Sequence, residues 1–291
     1  MDGILCMDKP AEITSFVCCA KVRRILGEKK AGHAGTLDPM ATGVLPILIG
    51  KATRALDLIP THDKRYTATM QFGFESDTLD IWGNVRKTEK KPPVLSEIEA
   101  VLPRFRGDIL QAPPMTSALK KDGKRLYELA RQGIEVERQP RPITVYALEI
   151  LDYQPESGTL TFDCHCSKGT YIRSICDDIG RLLGCGAVMT ALRRTMAAGF
   201  SLSDCVTFEA LEAAAEKEPF ILPIEKVFST YPAVTVSAAQ AVRFRNGGAL
   251  AAERLHTKLP QVPVRVFAPD GVFLGLGQEK EQSLAVLKLF V

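Results

Sequence analysis

Asp38 lies in the segment Gly32-His33-Ala34-Gly35-Thr36-Leu37-Asp38-Pro39. Glycines on both sides of His33 let the backbone come close to a ligand. Pro39 pushes Asp38 out of the helical region and leaves its carboxylate on a loop or strand end. Such an acid is either the side chain of an ordinary Asp-Pro turn or a carboxylate free to react. No Ser/His/Asp order and no second acid stand nearby in the sequence, so a reacting Asp38 calls for a cation as its charge partner. Arg173, two residues after Tyr171, opens a helix that is otherwise apolar on one face. A guanidinium there is either solvated or buried against a carboxylate, whose pKa it then lowers through bidentate hydrogen bonds. Tyr66 falls on the apolar side of an alternating segment, as a core residue or as a stacking platform.

Two other clusters resemble sites and fail on spacing. Cys164-His165-Cys166 offers metal-ligand types. Strand alternation puts Leu160, Phe162, Cys164 and Cys166 on one face and turns His165 to the other, so the three cannot close on one ion. A tetrahedral zinc site needs a further cysteine–histidine cluster, and none is present. Gly50-Lys51-Ala52-Thr53 lacks the phosphate-loop spacing, because Gly43 is two residues too far away and Ala52 separates Lys51 from Thr53.

The elements that must position these residues follow from periodicity. Gly3–Met7 predicts a short strand. Thr14 or Ser15 caps a helix carrying Cys18, Val22, Ile25 and Leu26, stopped by Gly27. Residues 44–49 form a continuous apolar run, as in a buried strand. Tyr66, Ala68, Met70 and Phe72 alternate with Thr67, Thr69 and Gln71, the pattern of a half-buried strand. Residues 95–102 predict a helix ending at Pro103. Residues 117–146, rich in Lys, Arg and Glu, read as a polar excursion with a helical centre at 126–131. Strands are expected at 143–152 and 159–167. A strongly periodic helix places Ile172, Ile175, Cys176, Ile179, Leu182 and Leu183 on one face, and another helix covers 208–216. After Tyr231-Pro232 the chain turns to short β-rich pieces at 264–267, 272–276 and 284–290. The expected division is 1–230 and 231–291.

With 291 residues and 46% hydrophobic content, the chain can bury a large core and reaches the size at which chains split into domains. The net charge is only +3, but it is unevenly placed. Residues 19–54 hold seven Lys/Arg against two acids, residues 201–225 one against six, and residues 231–291 seven against four. The basic stretches form either solvated helix faces or a phosphate-facing surface. Eight cysteines without a CxxC pair, no signal-peptide pattern and no apolar run near membrane-spanning length favour a reducing cytoplasm.

Six blocks, read together, resemble the bacterial tRNA pseudouridine-55 synthases, the TruB-type family. They are GILCMDKP (3–10), AGHAGTLDPMATGVLPI (31–47), DKRYTATMQFG (63–73), PPMTSALKKDGKRLYELARQGIEVERQPRPITVY (113–146), CSKGTYIRSICDDIGRLLGCGA (166–187) and LRR (192–194). The resemblance implies an α+β fold: a pseudouridine-synthase core with a central, largely antiparallel mixed sheet flanked by helices, plus a small C-terminal β-rich PUA-like domain. It implies that 117–146 is an RNA-gripping insertion. Leu79 and Trp82 are hydrophobic where a more polar stretch is expected.

By the same resemblance, Asp38 matches the catalytic aspartate and Tyr66 the aromatic that stacks on the target base. Tyr171 and Arg173 match the tyrosine and arginine near the aspartate. His33 matches a histidine of the base-extrusion loop, and Leu192 an apolar pocket contact. The implied substrate is uridine 55 in the TΨC loop of the tRNA T-arm. Isomerisation to pseudouridine is redox-neutral, so no cofactor and no metal is implied. No obligate protein partner is expected, and a monomer follows from the lack of a long apolar exposed stripe. Two alternatives are a noncatalytic RNA-binding or tRNA-folding protein and a pseudouridine synthase acting on another RNA.

Overall fold

The computed structural model describes residues 1–255 and 257–291. In chain order the first part contains β1 (Gly3–Lys9), α1 (Ser15–Ile25), β2 (Ala31–His33), β3 (Thr42–Ile49), β4 (Lys64–Phe72), β5 (Phe74–Ser76), β6 (Val85–Lys87), α2 (Leu95–Val101) and β7 (Gly107–Gln111). A short hairpin of β8 (Lys120–Lys121) and β9 (Lys124–Arg125) leads into α3 (Leu126–Arg131). Then come β10 (Arg141–Gln154), β11 (Thr159–Cys166), α4 (Ile172–Leu182), β12 (Ala187–Ala197), β13 (Phe200–Ser201), β14 (Cys205–Val206) and α5 (Phe208–Ala213). The last part holds β15 (Ala233–Thr235), α6 (Ala238–Arg245), β16 (Leu250–Ala251), β17 (Val264–Phe267), β18 (Phe273–Lys280) and β19 (Ser283–Leu289).

A ten-stranded sheet runs β14-β1-β3-β12-β4-β11-β10-β7, with β2 beside β3 and β13 beside β12. Pairing is antiparallel except at β1–β14 and β3–β12. The alternation expected of β4 is seen: Tyr66, Ala68, Met70 and Phe72 are buried and their neighbours are half-buried. On that face α2 and α4 close a core with Ile98, Ile172, Ile175, Cys176 and Ile179. Leu182, expected on the same face, is 40% exposed because the helix ends there. The β1–β3 half is covered on both faces, which explains why 44–49 is apolar without alternation. Leu5, Met7, Leu45 and Ile47 pack on α1 and α5. Ile4, Cys6, Val44 and Leu48 pack with Phe228, Phe273 and Phe290. The five-stranded C-terminal sheet, β15-β17-β18-β19-β16, is therefore seated on the large one through an aromatic cluster.

Among the elements not apparent in the sequence, β12 and α6 matter most. The strand β12, at the centre of the sheet, contains Arg193-Arg194, and a fully buried Arg194 is not what a charged pair suggests. It pairs in parallel with β3 through Arg194 and Gly43, where φ is +100° and a Cβ would run into the Arg194 carbonyl. The helix α6 interrupts the β-rich tail. It opens with a reciprocal cap, Ser237 N–H to Gln240 Oε1 at 2.8 Å and Gln240 N–H to Ser237 Oγ at 3.3 Å.

Candidate active site

The loop carrying Asp38 is held by its backbone. Lys9, fully buried at the end of β1, donates from Nζ to the Pro39 carbonyl at 3.1 Å, and to Pro10 and Ile13 at 2.8 Å each. Thr14, not Ser15, caps α1 by accepting from Val17 N–H at 3.1 Å. Ser15 Oγ instead accepts from Leu37 N–H at 2.8 Å and donates to the Leu37 carbonyl at 3.1 Å. Arg194 donates to the carbonyls of Gly35 at 3.1 Å, Thr36 at 3.3 Å and Val44 at 2.8 Å. Three side chains from separate elements thus fix residues 35–39, and none of them occupies the Asp38 carboxylate.

That carboxylate meets Arg173. Asp38 Oδ2 lies 3.0 Å from Arg173 Nη2, with the arginine side chain 6% exposed and the aspartate 37% exposed. The same guanidinium donates to Asp80 Oδ2 at 3.3 Å, Thr116 Oγ1 at 2.6 Å and the Thr78 carbonyl at 3.1 Å. Asp80 is buried and accepts from Thr78 Oγ1 at 2.7 Å and Trp82 N–H at 3.0 Å. A second acid is therefore near Asp38 after all, brought by the fold from a distant loop and kept apart by the arginine. The expected lowering of the Asp38 pKa is present but outweighed. Burial pushes it above the usual carboxylate range, Arg173 pulls it down, and Asp80 adds to the rise.

Tyr66 and Leu192 sit on neighbouring strands, buried in one cluster with Leu37 and Met40. Burial pushes the Tyr66 hydroxyl up to about 12, with Arg194 opposing, so the phenol is neutral near pH 7. Tyr171, half-buried just before α4, is locked by Gln111. Its N–H donates to Gln111 Oε1 at 2.8 Å, and its carbonyl accepts from Gln111 Nε2 at 3.0 Å. Burial raises its hydroxyl, on which Ser117, Arg141, Arg173 and Asp38 also act. It therefore stands between the roots of the 117–146 segment and the Asp38–Arg173 pair. His33 ends β2 at the mouth of a cavity of about 260 Å³, shared with Gly35, Leu56, His62 and Lys64. Burial and Arg194 lower its pKa, and its Nδ1 is buried without a hydrogen-bond partner. Asp38, Arg173, Tyr66, Tyr171 and Leu192 thus gather at one end of α4. His33 instead lines the cavity it shares with Gly35 and Lys64.

His165 turns away from its flanking cysteines and packs on Tyr146, with ring centroids 4.9 Å apart.

Comparison with known proteins decides the family. Residues 23–172 match the model of the TruB family pseudouridylate synthase N-terminal domain. The chain belongs to the TruB family of pseudouridylate synthases. Two C-terminal models of the family match residues 173–229 and 232–290. A tRNA pseudouridine synthase B of Clostridium kluyveri is 41% identical over 296 residues, covering 100% of both chains. One of Haemophilus influenzae is 40% identical, covering 97% of this chain and 91% of the relative. Among solved structures, a chain of a Cbf5–Nop10–Gar1 complex has a TM-score of 0.75 at 27% identity, covering 99% of this chain and 85% of that one. A chain of an H/ACA ribonucleoprotein bound to a substrate RNA containing 2'-deoxyuridine has a TM-score of 0.74 at 25% identity, with the same coverage.

Asp80, Thr116, Lys9 and Arg194 were not singled out in the sequence, and Ser15 was read only as a candidate helix cap. Asp80 carried a weak signal, an acid three residues after Asp77 in a turn-rich stretch. The others required the fold, since each acts across more than twenty residues of chain on a carbonyl or on Arg173.

Proposed function

We propose that the chain isomerises uridine 55 in the TΨC loop of tRNA to pseudouridine, with Asp38 as the carboxylate at the reacting sugar–base bond. The 3.0 Å contact of a part-exposed Asp38 with a buried Arg173 carries this reading. An acid held by one cation and otherwise open is ready to meet a substrate, whereas a purely structural acid would be satisfied. The tRNA pseudouridine synthase B relatives support the RNA class.

The reaction breaks C1′–N1, turns the uracil and joins C1′ to C5; the C5 proton leaves to solvent and N1 takes up a proton. Asp38 must be ionised, whether it attacks a carbon or takes a proton from the sugar. Arg173 holds that charge and aims it, in a site where excluding water strengthens the pair. The uridine leaves its stack at a cost of a few kcal/mol. Tyr66, beside Leu192, receives the extruded base and returns roughly 1–3 kcal/mol by stacking. His33, neutral near pH 7, fills space vacated by the base without repelling the cations around it. Residues 1–230 serve as the catalytic unit, 117–146 as the insertion that grips RNA, and 231–291 as a PUA-like RNA-binding unit. The enzyme acts as a cytoplasmic monomer.

Mapping pseudouridine in total RNA from cells lacking the protein tests the substrate. The expected result is loss at tRNA position 55 alone. Loss at other RNA positions with position 55 intact contradicts the assignment.

A further inference from the structure

The loop between β5 and β6 carries the acid that braces Arg173, yet it also exposes the chain's single tryptophan. Trp82 is 52% exposed and Ile81 43% exposed. Among the described residues no aromatic ring or cationic side chain stacks on the indole. A large apolar side chain held in water needs a reason when its backbone is this well fixed.

The loop is rigid by several independent ties. Ile81 N–H donates to the Met189 carbonyl at 3.1 Å, and Met189 N–H donates to the Leu79 carbonyl at 3.0 Å, a bridge to the central strand β12. Leu79 takes φ +65°, a conformation few branched residues adopt, and persists in it because both of its flanks are pinned. Asn84 closes the loop on Asp77, by N–H at 2.8 Å and Nδ2 at 2.7 Å. The Trp82 N–H itself binds Asp80 Oδ1 at 3.0 Å, Asp80 binds Arg173 at 3.3 Å, and Arg173 binds Asp38 at 3.0 Å. The Trp82 backbone is therefore three contacts from the Asp38 carboxylate, and its indole is exposed to solvent.

We infer that Trp82 is a stacking platform for an unpaired base of the substrate RNA next to the extruded uridine. An indole stacks on any nucleobase face, so it supplies affinity and register without reading sequence. The inference rests on the RNA-substrate reading above. It adds a contact from a loop whose other duty is to hold Asp80.

The single tryptophan makes the test direct, because intrinsic indole fluorescence can come from residue 82 alone. Titration with T-loop tRNA should shift or quench that fluorescence to saturation. Trp82→Ala keeps the backbone N–H on Asp80 and removes only the ring. It should weaken tRNA binding roughly 5- to 100-fold and leave kcat within about twofold. Trp82→Phe should stay within about threefold of wild type in binding. Unchanged fluorescence at saturating tRNA overturns the assignment. A fluorescence change with unaltered affinity in Trp82→Ala also overturns it, and points to the 117–146 segment closing over the indole instead. A fall in kcat with affinity kept means the residue acts through Asp80. Wild-type protein that releases no C5 tritium from tRNA would sink the substrate reading, whereas turnover with a silent indole sinks this inference alone.

Discussion

Two loops deliver a carboxylate to the same guanidinium and use it in opposite ways. In the loop of residues 32–39 the backbone is held from outside by Lys9, Ser15 and Arg194. Asp38 is thus spared any structural duty beyond Arg173, and 37% of its side chain stays open. In the loop of residues 76–84 the carboxylate does the holding. Asp80 accepts from Thr78 and Trp82 of its own loop and from Arg173, with 9% of its side chain exposed. An acid satisfied by three donors is a strut, while an acid with one partner in a part-open cleft is free for the reacting role proposed for Asp38. Arg173 meets both, Asp38 through Nη2 and Asp80 through Nη1, so each arm of the buried fork has a carboxylate partner.

Arg173→Met should break the comparison most severely, by facing two acids across an apolar side chain. The expected loss is about 3–5 kcal/mol in urea unfolding, with turnover below detection. A small stability loss would mean the loops are not joined through this residue. Arg194→Met next tests the external clamp. It strips three carbonyls of their donor, and about 1–3 kcal/mol of stability should go with it, together with most of the turnover. Ser15→Ala, a milder lesion of the same clamp, should cost about 1 kcal/mol. Asp80→Asn sharpens the contrast, because the amide oxygen still accepts from Thr78 and Trp82. The amide NH2 then faces the Arg173 guanidinium in place of Oδ2, so that bond is lost; stability should fall by about 1–3 kcal/mol and kcat about tenfold. Equal loss of stability in Asp80→Asn and Asp38→Asn would erase the distinction.

The smallest expected effect is on pH dependence. Burial holds the Asp38 pKa above the ordinary carboxylate range, and the form proposed to react is the ionised one. Turnover should therefore fall on acidification at a higher pH than a solvent-exposed aspartate gives. Arg173→Lys, which keeps the charge but loses the planar fork, should move that fall further upward. A fall at the ordinary carboxylate pH in both proteins would contradict the burial argument.

What was legible in the sequence was local. The glycine-bracketed Asp38 loop, the alternation of β4 and the apolar face of α4 each lie within one segment, and each was found where expected except for Leu182 at the end of α4. The failures share a cause. Arg194 stood in the sequence only as the end of the LRR block, and it is fully buried because its partners are backbone carbonyls of residues 35, 36 and 44. Carbonyl partners leave no residue-type signature, so β12 went unseen with it. Asp80 and Thr116 join Arg173 only after β12 and α4 are placed. Arg173 was expected to lower the Asp38 pKa, a pairwise argument that holds in direction. The burial that outweighs it is a property of the whole cleft.

Asp38, and not Asp80, is the carboxylate we propose to react. Release of tritium from C5 of uridine 55 in tRNA, measured for Asp38→Asn beside its tRNA affinity, tests it most directly. The account predicts no release above background with affinity within about threefold of wild type, since the isosteric amide can neither attack a carbon nor take a proton. Release at a rate near wild type would contradict it.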